Sequence, residues 1–181
     1  MRINPEDTFA VMIDIQYRLF PHIYDFEQLE LNSARLIEGM HILDIPIIMT
    51  EQYPKGLGPT IPSLKEMLGR EISPIVKDTF SCCGEGGFME AVEKHDRKNV
   101  IIFGIEAHVC VLQTVTDLIE GGYQPVVIAN CVSSREKLDR DFAIERMRDE
   151  GAIITTFESI LFELCVTSKH EKFKQISNLV K

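Results

Sequence analysis

A chain of 181 residues, 45% hydrophobic and 26% charged, has the make-up of an ordinary globular protein with a sizeable core. Its formal net charge of −9 argues against a nucleic-acid backbone or an anionic membrane surface as a partner. No apolar run approaches the roughly 20 residues needed to span a bilayer, and residues 1–7 carry no apolar signal core, so the expectation is a cytoplasmic protein without membrane contact.

Taken in order, residues 8–13 form a six-residue, mostly apolar run, the mark of a strand buried on both faces, and it ends at Asp14. Residues 26–43 read as a helix with Leu36, Ile37, Met40 and Leu43 on one stripe. Residues 46–50 are a second buried strand led by Pro46. The stretch 51–62, with Pro54, Gly56, Gly58, Pro59 and Pro62, is a loop long enough to expect a functional role. Ser63 is placed as the cap of a short helix through Leu68. Residues 72–77 form a short extended segment ending in Lys77, and a glycine-rich loop, 80–87, leads into a helix carrying Phe88, Ala91 and Val92. The glycines at 84, 86 and 87 match neither a dinucleotide fingerprint nor a Walker A pattern.

The stretch 100–112 pairs a strand stopping near Gly104 with a helix headed by Cys110, and that helix ends at Gly121-Gly122. Another buried strand covers 125–129, followed by a polar loop, 130–139, and a helix with Ala143, Ile144 and Met147 inward. The last strand is 152–156, then a helix near 159–165, then an amphipathic tail with Phe173, Ile176, Leu179 and Val180. Six strands alternating with helices predict right-handed crossovers and a parallel sheet covered on both faces, in one domain spanning 1–181. The apolar stripe of the tail reads equally as a subunit contact in a homo-oligomer or as packing on its own domain.

In such a sheet every strand's carboxyl end faces one rim, so Asp14, Lys77 and Cys110 share it although 63 and 33 residues separate them along the chain. Their chemistry is complementary. A thiol at a helix amino end beside a lysine is biased toward thiolate, and a partly desolvated aspartate can take its proton and return it to a leaving group. His108, two residues from Cys110, does not face it on a helix and reads as pocket lining or solvent-facing. The histidines are scattered, so no metal site and no cofactor are expected. Of the five cysteines, Cys131 and Cys165 read as small core residues, and adjacent Cys82-Cys83 could close only a strained ring.

Ile13-Asp14-Ile15-Gln16-Tyr17-Arg18-Leu19-Phe20, Lys77-Asp78-Thr79-Phe80-Ser81 and Gly104-Ile105-Glu106-Ala107-His108-Val109-Cys110-Val111 resemble the three signature blocks of the isochorismatase-like cysteine hydrolases, and the similarity runs from the first strand to about Leu164. The segments 50–58 and 145–148 most resemble the isochorismatase domain-containing proteins. The resemblance implies a three-layer α/β/α fold on a parallel six-stranded sheet of order 3-2-1-4-5-6. It implies Asp14 as general base, Lys77 as activating cation and Cys110 as nucleophile. It also implies a non-proline cis peptide at Ile105-Glu106, turning the Glu106 N–H toward that of Cys110 as an oxyanion-binding pair. Gln16, Phe20, Tyr53, Leu57 and His108 are the expected pocket residues. Glu51-Gln52-Tyr53 stands where the nicotinamidase branch carries an Asp-x-His metal site, which counts against a metal-dependent nicotinamidase. Asn130-Cys131 stands where many relatives have an aspartate. True isochorismate hydrolases generally lack the cysteine, so Cys110 favours attack on an acyl carbon: hydrolysis of a small amide or related C–N bond. The alternatives are vinyl-ether hydrolysis of an isochorismate-like substrate, or a binding or scaffold member without catalysis.

Overall fold

Residues 8–13 are buried along their whole length and carry β-branched and large apolar side chains, which is why they make the central strand of a parallel sheet. The computed structural model describes residues 2–181; Met1, the first residue of the segment read for a signal, lies outside them. The strands are β1 (Thr8–Ile13), β2 (Ile47–Gln52), β3 (Ile75–Lys77), β4 (Asn99–Ile105), β5 (Gln124–Ser133) and β6 (Ile153–Thr155), in the order β3-β2-β1-β4-β5-β6. All pairings are parallel, with Ile13 opposite both Thr50 and Gly104.

Alternation along β1 divides the interior. Ala10 and Met12 face a core closed by helices α1 (Phe26–Ile42), α3 (Pro62–Leu68), α7 (Phe157–Cys165) and α8 (Phe173–Leu179); the short helix α2 (Pro54–Leu57) lies in the loop between β2 and α3. Phe9, Val11 and Ile13 face a second core closed by α4 (Gly86–His95), α5 (Leu112–Glu120) and α6 (Lys137–Asp149). The chain leaves β1 toward β2 and later returns to the other side of β1 as β4. The topological switch point, where open α/β sheets hold ligands, therefore lies at the carboxyl ends of β1 and β4.

Several local expectations are corrected. The short helix begins at Pro62 with Ile61 outside it, because proline's fixed φ suits the first helical position, so Ser63 is not its cap. β5 runs on to Ser133, shortening the expected polar loop: Asn130 Oδ1 accepts the Phe157 N–H at 3.0 Å, and the Asn130 carbonyl accepts Asn32 Nδ2 at 2.9 Å, so this polar residue is held inside the fold. Helix α7 starts at Phe157, capped by the Thr156 hydroxyl, two residues before the expected start. In the tail, Ile176 is fully buried and Leu179 and Val180 pack on the same core, so its stripe is covered by its own chain.

Candidate active site

The site begins with a close approach of two backbones. Gly104 has φ +128°, and a Cβ there would fall 2.1 Å from the Ile13 carbonyl oxygen, so only glycine lets β4 press against the end of β1. The next residue on that side, Asp14, turns the chain with φ +52°, a left-handed conformation that aspartate tolerates better than most residues. Its carboxyl group is buried: Oδ1 accepts the Thr50 hydroxyl at 2.7 Å, and Oδ2 lies 2.7 Å from Lys77 Nζ.

Lys77 ends β3 and is only 1% exposed. Its ammonium donates to Gln52 Oε1 at 2.7 Å, to the Phe80 carbonyl at 3.0 Å and to the Thr79 carbonyl at 3.1 Å. The ammonium thus lies among four oxygens, with Asp14 Oδ2 as near as Gln52 Oε1. Burial pulls the Lys77 pKa down, but the charges of Asp14, Cys82 and Cys110 and the close contact with the Asp14 carboxylate outweigh it, and the ammonium is held above the ordinary lysine value.

Cys110 lies in a single π-helical turn, Ala107–Val111, which precedes α5 in place of the expected regular helix start. The sulfur-bearing residue is 7% exposed. Its thiol is pushed up to about 12, first by burial and then by the Asp14 charge, with the Asp14 acceptor adding to both; Lys77 opposes them and loses. The expected bias toward thiolate is therefore corrected: the resting sulfur keeps its proton, and the carboxylate faces it as an acceptor. Cys82, five residues after Lys77, belongs to the same cluster. It is fully buried, its Sγ lies 3.9 Å from Thr50 Oγ1, and burial followed by the Asp14 charge pushes its thiol up to about 11.

The expected pocket residues fall into different places. Gln16 is buried and consumed: its amide donates to the carbonyls of Gln52 and Gly58, and its oxygen accepts the Gln52 N–H at 2.7 Å. Phe20 packs edge-on against Phe26 within the core. Tyr53 is exposed, and Leu57 is half-buried in the helix after it. His108 Nδ1 lies 2.8 Å from Ser134 Oγ, with Nε2 3.8 Å from the Asp139 carboxylate. The Ile105-Glu106 peptide is cis, and the Glu106 carboxylate takes both the backbone N–H of Arg135 and its guanidinium. Glu51 turns inward to the Thr60 N–H and hydroxyl, while Gln52 serves Lys77 and the Asp78 carbonyl. Chemically, the rim brings together a buried carboxylate, a neutral thiol facing it, and a cation paired with the carboxylate.

The Isochorismatase domain model matches residues 8–159. Isochorismatase domain-containing protein 2 of Danio rerio is 39% identical over 180 residues, covering 99% of this chain and 89% of that protein. Among solved structures, the MAR1 ribonuclease of Caenorhabditis elegans superposes with a TM-score of 0.94 at 43% identity, covering 99% of this chain and 92% of that one. The YcaC gene product of Escherichia coli, an octameric hydrolase of unknown specificity, has a TM-score of 0.90 at 22% identity, covering 99% and 95%.

Proposed function

This chain belongs to the isochorismatase domain family, and within that hydrolase fold we propose a cysteine hydrolase acting on a small amide or related C–N bond. The observation that carries the reading is the buried Asp14 carboxylate, paired with Lys77 through Oδ2 and facing the Cys110 thiol as its acceptor. Asp14 takes that proton as the sulfur attacks the substrate carbonyl. The Glu106 and Cys110 backbone N–H groups, at the head of the helical turn, stabilise the tetrahedral oxyanion. Asp14 then protonates the departing amine and activates the water that hydrolyses the thioester. Lys77 is paired with the Asp14 carboxylate and offsets part of the cost of charging the sulfur. Tyr53, Leu57 and His108 line the approach, whereas Gln16 and Phe20 support it from behind.

A screen of small amides and ureas for ammonia release tests this. Turnover should vanish in Cys110→Ala and after alkylation at Cys110; full turnover in that variant would end the mechanism. Pyruvate release from an isochorismate-like ether would favour the ether reading, and no turnover with any substrate class would favour a binding role. Three similar solved structures are called ribonucleases, two of them provisionally, so RNA cleavage is assayed in parallel. The net charge of −9 and a lysine already committed to four oxygens favour a small molecule over a phosphodiester chain. A cytoplasmic homo-oligomer is part of the same proposal. The apolar side chains Tyr17, Tyr53, Phe80, Leu138 and Phe142, each more than half exposed, are the surface a second copy would cover.

A further inference from the structure

A second thiol lies behind the proposed nucleophile, and the hydrolytic steps have no use for it. Cys82 starts the 3₁₀ turn Cys82–Gly84 and is wholly buried. Its backbone N–H donates to Thr114 Oγ1 at 2.9 Å, and that hydroxyl donates to the Cys110 carbonyl oxygen at 2.7 Å. One side chain therefore bridges the two cysteine backbones. On the sulfur side, Cys82 Sγ donates toward Thr50 Oγ1, which in turn donates to Asp14 Oδ1 at 2.7 Å. Both cysteines belong to the core that packs α4, α5 and α6 on the sheet, and the charges of Asp14 and Lys77 act on both sulfurs. Cys131, by contrast, sits in the opposite core.

We infer that Cys82 and Cys110 form an oxidation site for hydroperoxides, in which Cys110 is oxidised first and Cys82 resolves it as an intramolecular disulfide. The inference rests on the proposed proton transfer from Cys110 to Asp14. The Cys110 sulfur attacks one peroxide oxygen, the O–O bond breaks, and Asp14 hands its proton to the departing oxygen, which leaves as water or an alcohol. Cys110 is then a sulfenic acid. The Cys82 sulfur, releasing its own proton, attacks the Cys110 sulfur and the hydroxyl leaves as water. The two thiols supply the two electrons that reduce the peroxide.

Exposure fixes the order. Cys110 keeps 7% of its surface and can meet a peroxide, whereas Cys82 has none and can meet only its neighbour. A disulfide needs Cα atoms within roughly 7 Å; the Thr114 hydroxyl ties the two backbones together through bonds of 2.9 and 2.7 Å, and the 82–84 turn is the segment that moves to close the bridge. A resolving thiol at that range competes with a second peroxide and keeps Cys110 from the sulfinic state, which most proteins cannot reverse.

The test treats the full chain with a small excess of hydrogen peroxide, blocks remaining thiols with iodoacetamide, and maps peptides without reduction. The expected product has lost two hydrogens, has two fewer alkylated thiols, joins the Cys82 and Cys110 peptides, and reverts with dithiothreitol. In Cys82→Ala, and independently in Cys82→Ser should the alanine variant fold poorly, Cys110 gains two or three oxygens that dithiothreitol does not remove. Cys83→Ala behaves as the parent chain. The inference is overturned if parent Cys110 gains oxygens while Cys82 stays alkylatable, or if the bridge joins Cys82 to Cys83. No substrate is needed. A bridge in a chain without turnover would remove the hydrolase reading alone, and turnover blocked at Cys110 without any bridge would remove this inference alone.

Discussion

Replacing Lys77 by methionine tests the ion pair at the heart of the site. Methionine keeps the length and apolar stem of lysine, so the change is mainly electrical. It strands a buried carboxylate whose Oδ2 has no other donor, and it orphans Gln52 Oε1 and the carbonyls of Thr79 and Phe80. Removing one partner of a buried pair costs about 3–5 kcal/mol. The loop carbonyls can turn toward water, so their further cost of about 1–3 kcal/mol each is only partly felt. Denaturant unfolding at neutral pH should therefore show a loss of about 3–5 kcal/mol, a large share of a typical domain's stability. The double variant Asp14→Asn/Lys77→Met should lose clearly less than the sum of the two single changes, because neither stranded charge remains. The parent chain has a further signature. Lys77 is held above the ordinary lysine value, so its contribution is complete below pH 10.5 and is lost as pH rises through the higher folded value. Lys77→Met should lack that alkaline loss. A single-variant cost below about 1 kcal/mol, or strict additivity in the double variant, would refute the coupling of Asp14 to Lys77.

Two other outcomes follow from the same geometry. Asp14→Asn should abolish turnover yet speed alkylation of Cys110 at neutral pH, because the carboxylate that holds the proton on sulfur is gone and the Lys77 charge is left to favour thiolate. In the parent chain the rate should climb roughly tenfold per pH unit toward the thiol's value of about 12; a slower reaction in Asp14→Asn would contradict the electrostatics. Gly104→Ala should unfold the chain or cost more than about 3 kcal/mol in a melt, since its methyl meets the backbone of Ile13 rather than a movable side chain; near-parental stability would show that β1 and β4 can part.

The elements that sequence reasoning located well were those whose side chains report burial directly. β1 and β4 are continuous apolar runs because both faces are covered, and α1 carries its stripe at Leu36, Ile37 and Met40. Asp14, Lys77 and Cys110 were legible because each ends or follows such a strand, and parallel topology sends those ends to one rim. Cys82 was missed as a site residue for the opposite reason. Its loop has no periodicity, and its path is set by the Ser81 hydroxyl on Asp117 Oδ2 and the Cys82 N–H on Thr114, contacts 36 and 32 residues away. The one available signal was its position, five residues beyond Lys77 on the same rim. β5 was cut short for a related reason: Asn130 looks like a loop residue until its partners on Asn32 and Phe157 are known.

The protonation of the site at rest bears on how it would work. A thiolate–imidazolium pair stores a charged nucleophile before substrate arrives; this centre stores the charge on carboxylate oxygens instead. Asp14 is paired with Lys77 and bonded by Thr50, while the sulfur beside it stays neutral in a nearly closed space. Such an arrangement is the cheaper one to fold, because a buried thiolate and a buried carboxylate would share a single lysine. In the proposed hydrolysis it would also place the proton where the second half of the reaction needs it. Lys77, which also donates to Gln52 and to the carbonyls of Thr79 and Phe80, is fixed beside the Asp14 carboxylate rather than free to swing away.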